Sequence, residues 1–108
     1  MESSALPGRL WITGAGKGIG RSVALEYAAR GWGVAVSART AGDLNEVARA
    51  AVDAKLPGKI TPFVCDVTDQ DAIKQTFKEV ENTIGPLDQV IFNVGTHIPN
   101  EARTFSVA

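Results

Sequence analysis

Short runs of apolar residues alternate along the chain with segments in which apolar residues recur every three or four positions. A short apolar run bounded by glycine or proline is typical of a buried strand. Four such runs predict strands at Arg9–Thr13, Gly33–Ala38, Ile60–Cys65 and Asp88–Asn93. The third run contains Pro62, and because proline lacks a backbone donor we expect this strand at an edge of the sheet.

The segments between these runs have the periodicity of amphipathic helices. The first begins at Gly18 and ends before Gly31, and the second is centred on residues 44–52. For the third helix, Thr68 and Asp71 predict a reciprocal capping box at its start. The order β-α-β-α-β-α-β predicts an α/β fold, in which helices cover a parallel sheet.

Composition and charge narrow the possible functions. The chain has 108 residues and a net charge of -1, and hydrophobic residues make up 44% of it. These values predict one folded domain that has neither nucleic acid nor a membrane as a partner. We find no pattern of a signal peptide and no membrane span, and the single cysteine, Cys65, excludes an internal disulfide. We therefore expect a cytoplasmic protein without a cysteine-based metal site, in which Cys65 is a small buried residue.

A glycine-rich turn separates the first strand from the first helix. It reads Thr13-Gly14-Ala15-Gly16-Lys17-Gly18-Ile19-Gly20. The spacing matches neither G-x-G-x-x-G nor a P-loop, in which serine or threonine follows the lysine. Glycines at such a turn let an anion approach the N–H groups at the start of a helix. The pattern favours a phosphate-binding turn, and a tight turn that binds no ligand is the alternative.

At three places the chain resembles the short-chain dehydrogenase/reductase family. The family pattern T-G-x-x-x-G-I-G is matched by residues 13–20, and its adenine-contacting aspartate and apolar residue are matched by Asp66 and Val67. Where the family has N-N-A-G after the fourth strand, this chain has Phe92-Asn93-Val94-Gly95, so two of the four positions differ. The resemblance implies a Rossmann-like three-layer fold with strand order 3-2-1-4. It also implies an oxidoreductase that transfers hydride between a nicotinamide dinucleotide and a carbonyl or alcohol substrate.

The end of the second strand favours NADP(H) as the cofactor. Sheets of this kind that bind NAD carry an acid there, which hydrogen-bonds the ribose 2′-OH. Residues 34–42 contain no aspartate or glutamate, and Arg39 offers a planar guanidinium to a 2′-phosphate. We expect Lys17 to approach the same phosphate from the glycine turn. The alternative is that both cations are ordinary solvated surface charges.

The predicted cofactor-binding residues come from the glycine turn and from the ends of the second, third and fourth strands. They are Gly14, Ala15, Lys17, Gly18, Ile19, Gly20, Ala38, Arg39, Asp66, Val67, Asn93, Val94 and Gly95. No catalytic residue is predicted, because the family's Tyr-x-x-x-Lys does not occur here: the one tyrosine, Tyr27, is followed four positions later by Gly31. The one histidine, His97, is interpreted as a solvated loop residue.

These patterns describe a dinucleotide-binding fold that is incomplete on its C-terminal side. Residues 1–95 are interpreted as the NADP-binding part and residues 96–108 as an irregular tail. The fourth strand would then be an exposed apolar edge, which favours self-association into a homo-oligomer. The leading hypothesis is the cofactor-binding part of an NADP(H)-dependent reductase, inactive by itself. A non-catalytic nucleotide-binding module and a truncated fragment without its own function are the alternatives.

Overall fold

The described part of the chain, residues 7–93 and 104–107 of a computed structural model, is built around one five-stranded sheet. The strands are β1 (Arg9–Thr13), β2 (Gly33–Ser37), β3 (Ile60–Pro62), β4 (Gln89–Asn93) and β5 (Thr104–Val107). The helices are α1 (Gly18–Ala29), α2 (Ala41–Asp53) and α3 (Gln70–Ile84). The strand order is β3-β2-β1-β4-β5, with β1 to β4 parallel. The predicted α/β fold and the order 3-2-1-4 are confirmed.

The sheet has helices on both faces because successive residues of a strand point to opposite sides. Leu10 and Ile12 of β1 belong to the apolar cluster that contains Leu44 of α2. Trp11, between them, belongs to a second cluster with Val80 of α3. All five side chains are fully or almost fully buried, and burying one large apolar side chain contributes about 1.5–3 kcal/mol. The three layers are thus α1 and α2, the sheet, and α3.

A fifth strand lies where the sequence predicts an irregular tail. Residues 104–107 form β5, which pairs antiparallel with β4 so that Val90 lies opposite Val107 and Asn93 lies opposite Thr104. The expectation of an irregular segment is therefore wrong for these four residues. The expectation that β4 forms an exposed edge is also wrong, because β4 lies between β1 and β5. Self-association stays a prediction, without the support of an open β4 edge.

The third strand is shorter than predicted but lies at the expected position. β3 contains only three residues, and Pro62 pairs with Val36 of β2 at the edge of the sheet. The chain still follows β2 beyond β3, since the N–H of Cys65 donates to the carbonyl of Ala38 at 3.0 Å. Cys65 is buried and has a free thiol, as expected.

The start of α3 differs from the predicted capping box. Its N-cap residue is Asp69, whose Oδ1 accepts hydrogen bonds from the N–H groups of Asp71 at 3.0 Å and Ala72 at 3.2 Å. Thr68 instead donates its hydroxyl to Oδ1 of Asp66 at 2.7 Å. The predicted cap at Thr68 is wrong by one residue, because its hydroxyl is already used by Asp66. Along the ranges described above, none of the helices is long and apolar enough to cross a membrane.

Candidate nucleotide-binding site

The carboxyl ends of β1, β2 and β4 meet beside the glycine turn. Thr13, the last residue of β1, pairs with Ser37 of β2 and Phe92 of β4. Gly14 follows with a φ of 63°, a left-handed conformation that side chains other than that of glycine rarely adopt. A Cβ at this position would also lie 2.3 Å from the carbonyl oxygen of Asn93. The first glycine is therefore required by both its backbone conformation and its contact with β4.

Asn93 holds the glycine turn against the sheet. Its Nδ2 donates to the carbonyl oxygen of Gly14 at 3.2 Å, and its backbone N–H donates to Oγ1 of Thr13 at 3.2 Å. A Cβ added at Gly20, in the first turn of α1, would lie 2.1 Å from that same Gly14 oxygen and 2.7 Å from Nδ2 of Asn93. The absence of a side chain at Gly20 is what lets α1 approach the strand ends this closely.

The N-terminus of α1 is open to a ligand. Lys17, its N-cap residue, makes no side-chain cap, whereas α3 is capped by Asp69. The first turn of α1 contains no acidic residue, so the positive end of the helix dipole is not neutralised there. Gly18 has a φ of 59°, and an added Cβ would meet no atom within 4 Å. Ile19 is exposed beside it. The N–H groups in the first turn of a helix without a side-chain cap are suited to an anion such as a pyrophosphate.

Two cations and one acid surround the end of β2. Ala38 and Arg39 follow this strand, and the Arg39 side chain is exposed. Nζ of Lys17 lies 3.9 Å from Oδ2 of Asp43, in the first turn of α2. Asp43 lies one position beyond residues 34–42, the segment whose lack of acids favours NADP(H), and so this carboxylate was not predicted. An acid is therefore present beside one of the two cations that favour NADP(H).

Asp66 and Val67 lie in the loop between β3 and α3. Oδ1 of Asp66 accepts hydrogen bonds from the hydroxyl of Thr68 at 2.7 Å and from its backbone N–H at 2.9 Å. These two bonds hold the pKa of the Asp66 carboxyl below its ordinary value; a desolvation effect opposes them, and the positive charge of Arg39 adds to them. Thr68 had no part in the predicted site. The residues after β2 and β3 lie near each other, since the N–H of Cys65 donates to the carbonyl of Ala38.

Of the remaining predicted residues, Ala15 has a structural role and the others lie outside the described residues. Ala15 is buried, and its N–H donates to the carbonyl of Ser37 at 3.2 Å, so it fixes the turn to β2. Val94, Gly95 and His97 lie outside the described residues.

Tyr27 lies on α1 and takes part in packing. Its hydroxyl donates to Oε1 of Gln89 at 3.2 Å, and its ring meets that of Trp32 edge to face at 4.9 Å between centroids. These contacts hold α1 against β4 and the loop that precedes β2.

Comparison with known proteins identifies the family. The sequence model described as short chain dehydrogenase matches residues 9–108. The chain belongs to the short-chain dehydrogenase/reductase family. It is 36% identical over 84 residues to a 3-oxoacyl-(acyl-carrier-protein) reductase of Thermotoga maritima. The matched segment covers 78% of this chain and 33% of that protein. The family is one of oxidoreductases that bind nicotinamide dinucleotides.

Solved structures of the family superpose on this fold. A short-chain type dehydrogenase/reductase from Mycobacterium marinum is 39% identical with a TM-score of 0.72, and the match covers 79% of this chain and 34% of that one. L-sorbose reductase from Gluconobacter frateurii, solved in complex with NADPH and L-sorbose, is 26% identical with a TM-score of 0.75, covering 84% and 34% respectively. The chain thus spans about a third of the length of the relatives it matches.

Proposed function

We propose that this chain is the cofactor-binding part of an NADP(H)-dependent short-chain dehydrogenase/reductase that acts on a carbonyl or alcohol substrate. The observation that carries the proposal is the N-terminus of α1, which begins at Gly18 and has no side-chain cap from its N-cap residue, Lys17. A dinucleotide pyrophosphate is an anion of the kind that such a helix end binds. The NADPH bound to the sorbose reductase, a relative of the same fold, supports the assignment.

Each end of the dinucleotide has candidate residues in this chain. We assign the pyrophosphate to the first turn of α1, which includes Ile19 and Gly20. Arg39 and Lys17 bind the 2′-phosphate, because a guanidinium and an ammonium supply charge-assisted hydrogen bonds to phosphate oxygens. Asp66 and Val67 contact the adenine, and Ala38 supplies backbone beside it. Asn93 is assigned to the nicotinamide end of the cofactor, and the same assignment of Val94 and Gly95 stays a prediction.

The chemistry of hydride transfer belongs to the bound nicotinamide. The substrate carbonyl also needs a group that donates or accepts its proton. Tyr27 does not fit this role, since its hydroxyl is hydrogen-bonded to Gln89 and its ring packs on Trp32. We therefore propose that these 108 residues bind the cofactor without reducing a carbonyl. The cytoplasmic location and the extent of the cofactor-binding part, residues 1–95, stay predictions.

Calorimetric titration with NADPH and NADH tests the proposal. We expect the wild-type chain to bind NADPH more tightly, and Arg39→Asp to shift the preference toward NADH. Arg49→Asp, on an exposed position of α2, is the matched control and leaves the preference unchanged. Equal affinities for the two cofactors would refute the NADP(H) assignment. Absence of binding to either would favour a fragment without its own function, and binding by a chain with no catalytic continuation would favour a non-catalytic module.

A further inference from the structure

A carboxylate lies within the group of charges assigned to the 2′-phosphate. Asp43 is in the first turn of α2, and its Oδ2 is 3.9 Å from Nζ of Lys17. Its Cβ lies close to the glycine turn, since a Cβ added at Gly16 would be 2.8 Å from it. Asp43 therefore lies beside the turn as well as close to the charge of Lys17. Its side chain is one-third exposed, against 84% for Lys17, so the acid is the more buried member of the pair.

We propose that Asp43 is a specificity-determining residue that weakens the binding of NADP(H) relative to NAD(H). The inference rests on the proposed function, in which Lys17 and Arg39 face the 2′-phosphate. Asp43 pairs with Lys17 when no cofactor is bound, and it repels the phosphate when NADP(H) binds. The chain is consequently less selective for NADP(H) than its two cations suggest.

The distance between the two side chains limits how far the phosphate lies from the acid. An ion pair with Lys17 places a phosphate oxygen within about 4 Å of Nζ. Because Nζ is 3.9 Å from Oδ2 of Asp43, that oxygen lies no more than about 8 Å from the carboxylate. A phosphate monoester carries a charge of about -1.5 to -2 at neutral pH. Coulomb repulsion at this separation in water corresponds to about a fivefold loss of affinity.

The comparison of two cofactors isolates this effect. The pyrophosphate is common to NADP(H) and NAD(H), so any effect of Asp43 on it cancels in the ratio of their affinities. Only the 2′ position differs, where a phosphate replaces a hydroxyl. Since the carboxylate and Lys17 are both in contact with solvent, salt weakens the repulsion, and the Debye length falls from about 10 Å at 0.1 M to about 3 Å at 1 M.

Calorimetric titration of Asp43→Asn with NADPH and NADH is the test. Asparagine keeps the Cβ beside Gly16 and removes the charge. Asp43→Ser serves as a second variant, because serine is also suited to a helix start. Asp53→Asn, ten residues further along α2 and about 15 Å away, is the matched control for lost charge. Thermal unfolding of each variant establishes that it is folded.

We expect Asp43→Asn to raise NADPH affinity about fivefold at low salt and NADH affinity by much less. The gain shrinks toward 1 M salt, and Asp53→Asn leaves the ratio of the two affinities unchanged. An unaltered ratio in both Asp43 variants, with a preference that still responds to Arg39→Asp, would overturn this inference and leave the proposed function standing. A wild-type chain that binds neither cofactor would overturn both.

Discussion

Replacing Gly20 with alanine has two opposing effects on the free energy of unfolding, one from helix propensity and one from a steric clash. Gly20 is in the first turn of α1, and in a helix alanine is favoured over glycine by about 0.8–1.0 kcal/mol. The added Cβ would lie 2.1 Å from the carbonyl oxygen of Gly14 and 2.7 Å from Nδ2 of Asn93. The Gly14 oxygen is a backbone atom that cannot rotate away, and Nδ2 of Asn93 is held by its hydrogen bond to that oxygen. Relief of the clash requires α1 to move away from the strand ends.

The steric effect is the larger of the two. Overpacking of a tightly packed site costs about 1–3 kcal/mol. A shift of α1 and the turn also breaks the hydrogen bond from Asn93 to Gly14, which is 3.2 Å long, and Asn93 is buried. A buried polar group left without its partner adds a further cost of about 1–3 kcal/mol. After the helix propensity of alanine is subtracted, we expect the free energy of unfolding to fall by about 1–5 kcal/mol.

Urea denaturation, followed by far-ultraviolet circular dichroism, measures this change. Gly42→Ala is the matched control, because Gly42 is in the first turn of α2 and a Cβ there would meet no atom within 4 Å. We expect this control to stabilise the chain by about 0.5–1 kcal/mol. A Gly20→Ala variant as stable as the wild type would show that α1 does not approach β4 through Gly14 and Asn93.

Two further predictions concern the loop before α3. Replacing Asp69 with alanine removes the acceptor for the N–H groups of Asp71 and Ala72, and we expect the free energy of unfolding in urea to fall by about 1 kcal/mol; an unchanged midpoint would contradict the observed cap. Replacing Thr68 with valine removes the hydroxyl donor to Asp66, so the pKa of the Asp66 carboxyl should rise toward its ordinary value in an NMR titration. Because folding lowers this pKa, the contact stabilises the chain above the pKa of the unfolded state, and the effect is lost as the pH falls through the folded-state pKa. A wild-type pKa at the ordinary value would refute the contact.

Features that depend on neighbouring residues could be predicted from the sequence. The bounds of β1 are those predicted, since an apolar run that ends at a glycine cluster specifies a strand locally. The start of α1 at Gly18 follows from the same glycines. Pro62 correctly predicted an edge strand, because the missing N–H is a property of one residue.

Features that depend on pairing between distant residues could not be predicted. The four residues of β5 alternate polar and apolar, as many short loops do, and only their pairing with β4 makes them a strand. The cap of α3 shows the same limit at shorter range. Thr68 and Asp69 are both good N-cap residues, and the choice depends on Asp66, whose carboxylate accepts both donors of Thr68.

The charged side chains near the end of β2 come from three different parts of the fold. Arg39 follows the strand itself, Lys17 belongs to the glycine turn, and Asp43 belongs to the first turn of α2. A count of acids along the strand cannot find Asp43, because the helix brings it back toward the turn after the strand has ended. The ion pair of 3.9 Å means that an acid lies beside one of the two cations that are proposed to bind the 2′-phosphate. Under the proposed function, we therefore expect the preference between NADP(H) and NAD(H) to depend on the balance of these three charges rather than on Arg39 alone.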